Sequence, residues 1–229
     1  MRFYTTMKFF RVFLYAVVAI VLLCSFRFFD TASESSMTDA ERFQQEYTSQ
    51  NGKLDDHFRV MRTLDIDQEN PMLYSSFQDI LRRLDCHESF YVYFGFSRCP
   101  WCRAFVVPML TAAKDCDISQ ILYVDLSTGR DLYILKGDQP VQIDSGDPCY
   151  HELLQRFDAL LSSYTLTNAQ AQEISVGEKR LYAPTLIHVQ NGEPVEIYTG
   201  SDKLLNAYDT LSDEVLDDML SSLRDFFHQ

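Results

Sequence analysis

The sequence predicts an α/β fold, and three consecutive segments support this prediction. The run FYVYFGF (90–96) is apolar and aromatic, and its length suits a strand buried on both faces of a sheet. ILYVDL (121–126) has the same character. Between them, RAFVVPMLTAAKD (103–115) predicts a helix that its internal Pro108 would bend. A strand, a helix and a second strand in this order predict parallel strands joined by a crossover.

The chain begins with a predicted membrane anchor. Residues 1–11 carry three basic residues and no acid, and an apolar run follows over 12–26. A cleaved signal peptide is the rival interpretation, but Asp30-Thr31-Ala32 places an acid where small residues are wanted. We therefore expect an uncleaved transmembrane helix at residues 9–29 within an N-terminal segment 1–29. The basic excess before the run predicts a cytoplasmic N-terminus and an extracytoplasmic remainder.

The part of the chain after this segment is strongly acidic, which argues against anionic partners. All 33 acidic residues and 16 of the 20 basic ones lie from Asp30 onward, which gives this part a formal charge of −17. Such a charge disfavours binding to nucleic acid or lying flat on an anionic membrane. We interpret the acidity as a contribution to solubility.

Residues 30–54 are predicted to form a tether and a short helix, before a main domain over 55–229. Thr38 and Glu41 make a capping box for a helix that would end near Gln50. Two further elements are predicted next. FRVMRTLDI (58–66) alternates apolar and polar residues as a strand does, and LYSSFQDILRRL (73–84) has the apolar stripe of a helix.

The region 127–182 is predicted to be a mostly helical insertion. Asp147-Pro148 would start a helix, TNAQAQE (167–173) would continue as helix, and ISVGEKR (174–180) would be a loop. Two short strands around Asn191-Gly192 follow as a hairpin. The last predicted element is an amphipathic helix capped by Thr210 with Asp213.

The motif FSRCPWCRAF (96–105) offers three kinds of chemistry. A structural zinc site needs four ligands, and neither the other cysteines nor the five histidines supply a second pair. A disulfide between Cys99 and Cys102 would close a very small loop and stabilise little. Redox chemistry needs an exposed first sulfur at a helix N-terminus, and the strand-to-helix position offers this to Cys99. Arg98 and Arg103 would add positive potential or be ordinary solvated side chains.

Here the sequence resembles the thioredoxin superfamily over roughly residues 55–229. The features stand in family order: strand FYVYFGF, motif Cys99-Pro100-Trp101-Cys102, a helix with an internal proline, strand ILYVDL, then Tyr182-Ala183-Pro184-Thr185 opening a hairpin, and a last amphipathic helix. The resemblance implies a three-layer fold around a central mixed sheet. More narrowly, the anchor, the tether and FGFSRCPWCR resemble bacterial membrane-anchored thioredoxin-like proteins, some labelled bacteriocin-transport accessory proteins.

The resemblance also implies roles for individual residues. Cys99 would be the attacking thiolate and Cys102 the resolving cysteine of a thiol–disulfide oxidoreductase, with no cofactor and no metal. Pro184 would be the family's cis-proline. Substrate would be bound by Pro100, Trp101, Ala183 and Pro184. The implied partners are protein thiols and disulfides, together with an unidentified redox partner.

The sequence departs from the family pattern in three respects. Tyr93 stands where thioredoxins commonly bury an acid, and we expect it to pack in the core without a catalytic role. The dipeptide Pro100-Trp101 is closer to glutaredoxin and oxidase motifs than to Gly-Pro. The 81 residues between Cys102 and Pro184 exceed those of a minimal thioredoxin, hence the insertion predicted above.

Two alternatives stay open at the level of sequence. Cys86, Cys116 and Cys149 could form one disulfide among themselves or remain free thiols. A thioredoxin-fold interaction module of an envelope or export complex, with the pair as a permanent disulfide, is the alternative function. The direction of electron flow, the substrates and the oligomeric state are not encoded in any pattern that we recognise.

Overall fold

The strand predicted at FYVYFGF is the middle strand of a five-stranded sheet. A computed structural model describes residues 37–228. Its helices are α1 (Asp39–Thr48), α2 (Phe77–Asp85), α3 (Pro100–Asp115), α4 (Pro148–Arg156) and α5 (Asp213–Phe227), with a 3₁₀ turn at Asp158–Leu160. Its strands are β1 (Met72–Tyr74), β2 (Phe90–Gly95), β3 (Ile121–Asp125), β4 (Leu132–Lys136), β5 (Gln139–Asp144), β6 (Ser162–Thr167), β7 (Glu173–Arg180), β8 (Thr185–Gln190) and β9 (Glu193–Tyr198).

The central sheet is mixed and has the strand order β1-β3-β2-β8-β9. Strands β1 and β2 each pair with β3 in parallel, whereas β8 runs antiparallel to both β2 and β9. Val92 of β2 pairs with Leu122 on one side and with Ile187 on the other. A strand flanked in this way is covered on both faces, which explains its continuous apolar sequence.

Helices cover both faces of this sheet and make three layers. One core packs α1, α3 and α5 against the sheet, with Tyr47, Phe105 and Leu223 among its fully buried residues. The other core packs α2 and α4, through side chains such as Ile80 and Leu153. This mixed α/β architecture fits a thioredoxin-like fold, and the expected order of elements around the cysteine motif is confirmed.

The prediction of a strand at 58–66 is wrong. Side chains make hydrogen bonds to the backbone of this segment, in place of the bonds that a neighbouring strand would make. Outside one bridge, Leu54 with Val60, the segment is irregular. Asn51 binds the backbone of Leu64 twice, accepting from its amide (2.9 Å) and donating to its carbonyl (2.8 Å). The edge of the sheet next to β3 is instead formed by the short β1, which begins directly after Pro71.

The prediction of a mostly helical insertion is also wrong. The helix at Asp147-Pro148 exists as α4, but the rest of the region contains two antiparallel hairpins, β4–β5 and β6–β7. The segment predicted to continue as helix is instead the turn of the second hairpin. There the Asn168 side chain accepts from the amides of Gln170 (3.0 Å) and Gln172 (2.9 Å). Such side-chain bonds to the local backbone compete with a helix.

The final helix begins at Asp213, and its cap is Ser212, whose hydroxyl accepts from the Val215 amide (3.3 Å), not the predicted Thr210. The predicted anchor at 9–29 and most of the tether lie outside the described residues. Within residues 37–228, no helix is both long enough and apolar enough to span a bilayer.

Candidate active site at the cysteine pair

Cys99 caps the N-terminus of α3, directly after β2 and a short loop. Its backbone is extended, Pro100 occupies the first turn, and its sulfur accepts a hydrogen bond from the Cys102 amide (3.4 Å). This extended backbone and the proline at N1 together fix the start of the helix at this residue. The predicted position at a helix N-terminus is therefore confirmed. The predicted exposure is not, because Cys99 is only 6% exposed.

Cys102 lies one turn further along α3 and is fully buried. It belongs to the same apolar core as Tyr93 and Phe105. The pair thus has one sulfur at the surface end of the helix and a second beneath it. In the described chain both are free thiols.

The two thiols differ in acidity, and the structure gives the causes. Hydrogen bonding from the Cys102 side chain lowers the pKa of Cys99, and the amides of Cys102 and Trp101 and the charge of Arg130 lower it further against the opposing effect of burial. Burial raises the pKa of Cys102 well above its usual value, and the neighbouring Cys99 raises it further. Cys99 is therefore the more acidic thiol of the pair and the one that more readily forms a thiolate, whereas Cys102 holds its proton more tightly.

The residues proposed to bind substrate lie around Cys99. The Ala183–Pro184 peptide bond is cis, and the Cys99 sulfur lies 3.5 Å from the Ala183 carbonyl oxygen. Trp101 is 43% exposed and lines a small groove together with Pro184 and the Gly200 backbone. Pro100 is half-buried in the first helical turn. The structure thus brings all six predicted site residues to one place.

Tyr93 packs in the core as predicted, and its hydroxyl also approaches the cysteine pair. Its ring stacks between Phe105 and Tyr123, at centroid distances of 5.7 and 5.8 Å. The hydroxyl lies 3.2 Å from the Tyr47 hydroxyl, and hydrogen bonding from Tyr93 lowers the pKa of the Cys102 thiol. The sequence interpretation missed Tyr47, because nothing in α1 links it to a motif more than fifty residues later.

Arg130 is a second residue that the sequence interpretation missed. It stands in the loop between β3 and β4, half-buried, with its guanidinium carbon 5.4 Å from the Phe96 ring centroid. Its positive charge lowers the pKa of Cys99. No local signal marks it, because an arginine in a loop is usually a solvated side chain.

The two arginines of the motif have different roles. Arg98 is exposed and forms an ion pair with Asp56 at 2.9 Å. Arg103 is only 1% exposed, and it donates to the carbonyls of Tyr47 (2.7 Å) and Ser97 (3.1 Å). It also binds Arg62 and Asn51, so it joins the end of α1 and the irregular 58–66 segment to the active-site helix.

The remaining described cysteines lie apart from the pair. Cys86 and Cys116 form the C-caps of α2 and α3, and Cys149 lies in the first turn of α4. All three are free thiols in this structure. Within residues 37–228, no three His, Cys, Asp or Glu side chains are grouped so as to hold a metal ion.

Comparisons with known proteins add little to this geometry. Neither protein-family models nor curated proteins match the chain. Among solved structures, it is similar to the crystal structure of thioredoxin O2 from Arabidopsis thaliana in the oxidized state. The identity is 12%, the TM-score is 0.36, and the match covers 69% of this chain and 96% of that one. The chain's own strand order therefore carries the fold assignment.

Proposed function

We propose that this chain is a thiol–disulfide oxidoreductase that exchanges disulfides with protein substrates through Cys99 and Cys102. The observation that carries the proposal is the asymmetry of the pair at one helix N-terminus. Cys99 accepts from helix amides and has a lowered pKa, whereas the buried Cys102 has a raised one. A structural bridge needs no such difference, but a nucleophile followed by a resolving thiol does.

The reaction follows from these two positions. The Cys99 thiolate attacks a substrate disulfide, a mixed disulfide forms, and the first substrate sulfur leaves as a thiolate. Cys102 then loses its proton and attacks the Cys99 sulfur, which releases the second substrate sulfur. The pair is oxidised to a disulfide, and the substrate gains two electrons and two protons. Run in reverse, the same steps oxidise substrate thiols.

The groove beside Cys99 supports an extended protein segment as the substrate. The Ala183 carbonyl contacts the Cys99 sulfur, and the exposed indole of Trp101 borders the groove. Backbone groups of this chain beside a bound substrate disulfide would recognise substrates without regard to their side chains. The Trp101 indole would add an apolar contact. Roles for Pro100, Trp101, Ala183 and Pro184 in substrate binding belong to this proposal.

The cellular setting is proposed from the sequence. The apolar run over 12–26 and the basic residues before it support a single-pass anchor with the redox domain outside the cytoplasm. An oxidising compartment would suit either direction of exchange. The narrower resemblance to bacteriocin-transport accessory proteins is supported only by the segment FGFSRCPWCR and the predicted anchor.

Trapping of mixed disulfides tests the proposed function. In Cys102→Ala, the second step cannot occur, so we expect mixed-disulfide adducts with other proteins that dithiothreitol reduces. They would be measured as shifted bands on non-reducing gels of the full-length protein. The matched control is the double variant Cys99→Ser, Cys102→Ala, in which we expect no adducts above background. Adducts that survive loss of Cys99 would show that another cysteine reacts, and would contradict the assignment.

A further inference from the structure

Two buried tyrosine hydroxyls lie beneath the cysteine pair. Tyr93 of β2 and Tyr47 of α1 are both fully buried, and their hydroxyl oxygens are 3.2 Å apart. Tyr93 packs in the same buried core as Cys102, and hydrogen bonding from its side chain lowers the pKa of that thiol. Core packing alone would be served equally well by phenylalanine, because a buried hydroxyl must find a partner to avoid a desolvation cost.

A glycine near Tyr93 leaves room for its hydroxyl group. Gly95 lies two residues further along β2, on the same face of the sheet, and a methyl group there would overlap the Tyr93 hydroxyl. The ring is held from both sides by Phe105 and Tyr123. The hydroxyl therefore occupies space that only a glycine at position 95 leaves open.

We propose that Tyr93 donates a hydrogen bond to the Cys102 thiolate as that thiolate forms, and that the Tyr47 hydroxyl, by donating to Tyr93, holds it in the required orientation. In this proposal Tyr93 acts directly on the reacting sulfur, and Tyr47 is a positioning residue that acts through Tyr93. The inference rests on the proposed function and assigns a role in its second step.

A hydrogen-bond donor at this position favours the chemistry of that step. Cys102 must become a thiolate inside an apolar core before it attacks the Cys99 sulfur of the mixed disulfide. The Cys102–Cys99 bond forms, the bond from Cys99 to the substrate sulfur breaks, and that sulfur leaves with the electron pair. Over both steps the two substrate sulfurs gain two protons. Cys102 supplies one, and the solvent, which took the proton of Cys99 when its thiolate formed, supplies the other. Tyr93 keeps its own proton, because burial raises the pKa of both tyrosines.

The other charged or titratable groups that act on Cys102 do not take the place of this donor. Cys99 faces it from the start of α3, and Arg130 acts on it from the loop after β3. Among the described residues, one carboxylate is deeply buried, that of Asp131, and it is paired with Arg180. The tyrosine hydroxyl is therefore the group placed to stabilise the thiolate where thioredoxins commonly bury an acid.

A two-phase thiol assay separates the steps. The full-length protein would carry Cys24→Ala, Cys86→Ser, Cys116→Ser and Cys149→Ser, so that only the pair reacts with 5,5′-dithiobis(2-nitrobenzoate). Attack by Cys99 releases one thionitrobenzoate, and attack by Cys102 releases a second. In Tyr93→Phe we expect the first release to be unchanged and the second to slow by about tenfold at pH 7, the usual effect of losing one hydrogen bond to a charge.

The pH dependence gives a second signature. Because only the thiolate attacks, the second release accelerates as pH rises through the pKa of Cys102. Loss of the donor raises that pKa. In Tyr93→Phe, the rise of the second-release rate with pH should therefore occur about one pH unit higher. Tyr47→Phe should give a smaller slowing of the same phase. Tyr123→Phe is the matched control, because its buried hydroxyl donates to Glu46 (3.0 Å) and its kinetics should match the parent's.

The outcomes are distinguishable. An unaffected second release in Tyr93→Phe, or equal slowing in Tyr123→Phe, overturns this inference and leaves the proposed function standing. A parent protein that releases one thionitrobenzoate and never a second overturns the proposed function and this inference with it. Circular dichroism of each variant confirms that the isosteric changes leave the fold intact.

Discussion

Replacing Arg103 with alanine is expected to lower the free energy of unfolding by at least about 3 kcal/mol. The guanidinium is buried and donates to the backbone carbonyls of Tyr47, Ser97 and Arg62. A hydrogen bond to a charged group contributes about 1.5–3 kcal/mol, and its removal leaves these carbonyls without their partner. Denaturant unfolding of the full-length protein measures the loss, as a lower midpoint with an unchanged slope.

Arg98→Ala is the matched control, on the other side of the same two cysteines. The Arg98 guanidinium and the Asp56 carboxylate form an exposed ion pair, and pairs of this kind contribute less than about 1 kcal/mol. Similar losses in the two variants would contradict the view that Arg103 fastens α1 and the 58–66 segment to the active-site helix. A loss in Arg103→Ala that Arg103→Lys fully restores would also contradict it, because lysine lacks the planar fork of donors.

Replacing Asp131 with asparagine is expected to destabilise the fold by about 3–5 kcal/mol, because it leaves Arg180 buried without a countercharge. The two side chains are only 2% and 7% exposed and meet at 3.1 Å. Arg180 ends β7, shortly before the Ala183–Pro184 bond. Asp131 follows Arg130, whose charge acts on Cys99. We therefore expect the pH profile of Cys99 alkylation to change as well.

The control for Asp131→Asn involves Lys179, which precedes Arg180 in β7. Asp158 pairs with Lys179, the neighbour of Arg180, at 3.0 Å on the surface. Asp158→Asn should cost less than about 1 kcal/mol and leave Cys99 alkylation unchanged. An Asp131→Asn variant as stable as the wild type would mean that water or other groups satisfy Arg180, and that the hairpins do not depend on this pair.

The parts of the fold that local pattern controls could be predicted from the sequence. β2 and β3 are buried on both faces, so their apolar runs are unambiguous. The hairpin at Asn191-Gly192 follows from residues suited to its turn, both of which have positive φ. Cys99 and Cys102 were found because the spacing of the motif and the order of the surrounding elements are both encoded locally.

The remaining features depend on contacts between distant residues. The alternation in 58–66 resembles a strand, but Asn51 and Arg103 bind its backbone instead. The turn at Asn168 looks helical by composition, and one side chain decides against a helix. Tyr47 joins the site from α1 across 46 residues of sequence to Tyr93. No periodicity within a short window could have indicated that contact.

The reduction potential of the Cys99–Cys102 pair tests the central claim most directly. The full-length protein would be equilibrated with graded ratios of reduced and oxidised dithiothreitol or glutathione, and the thiols of the pair quantified by alkylation. We predict a potential well above about −300 mV, where redox-active pairs lie, and little change in melting temperature on reduction. A pair that stays oxidised below about −300 mV, and whose reduction lowers the melting temperature markedly, would be a structural bridge and would contradict the proposed function.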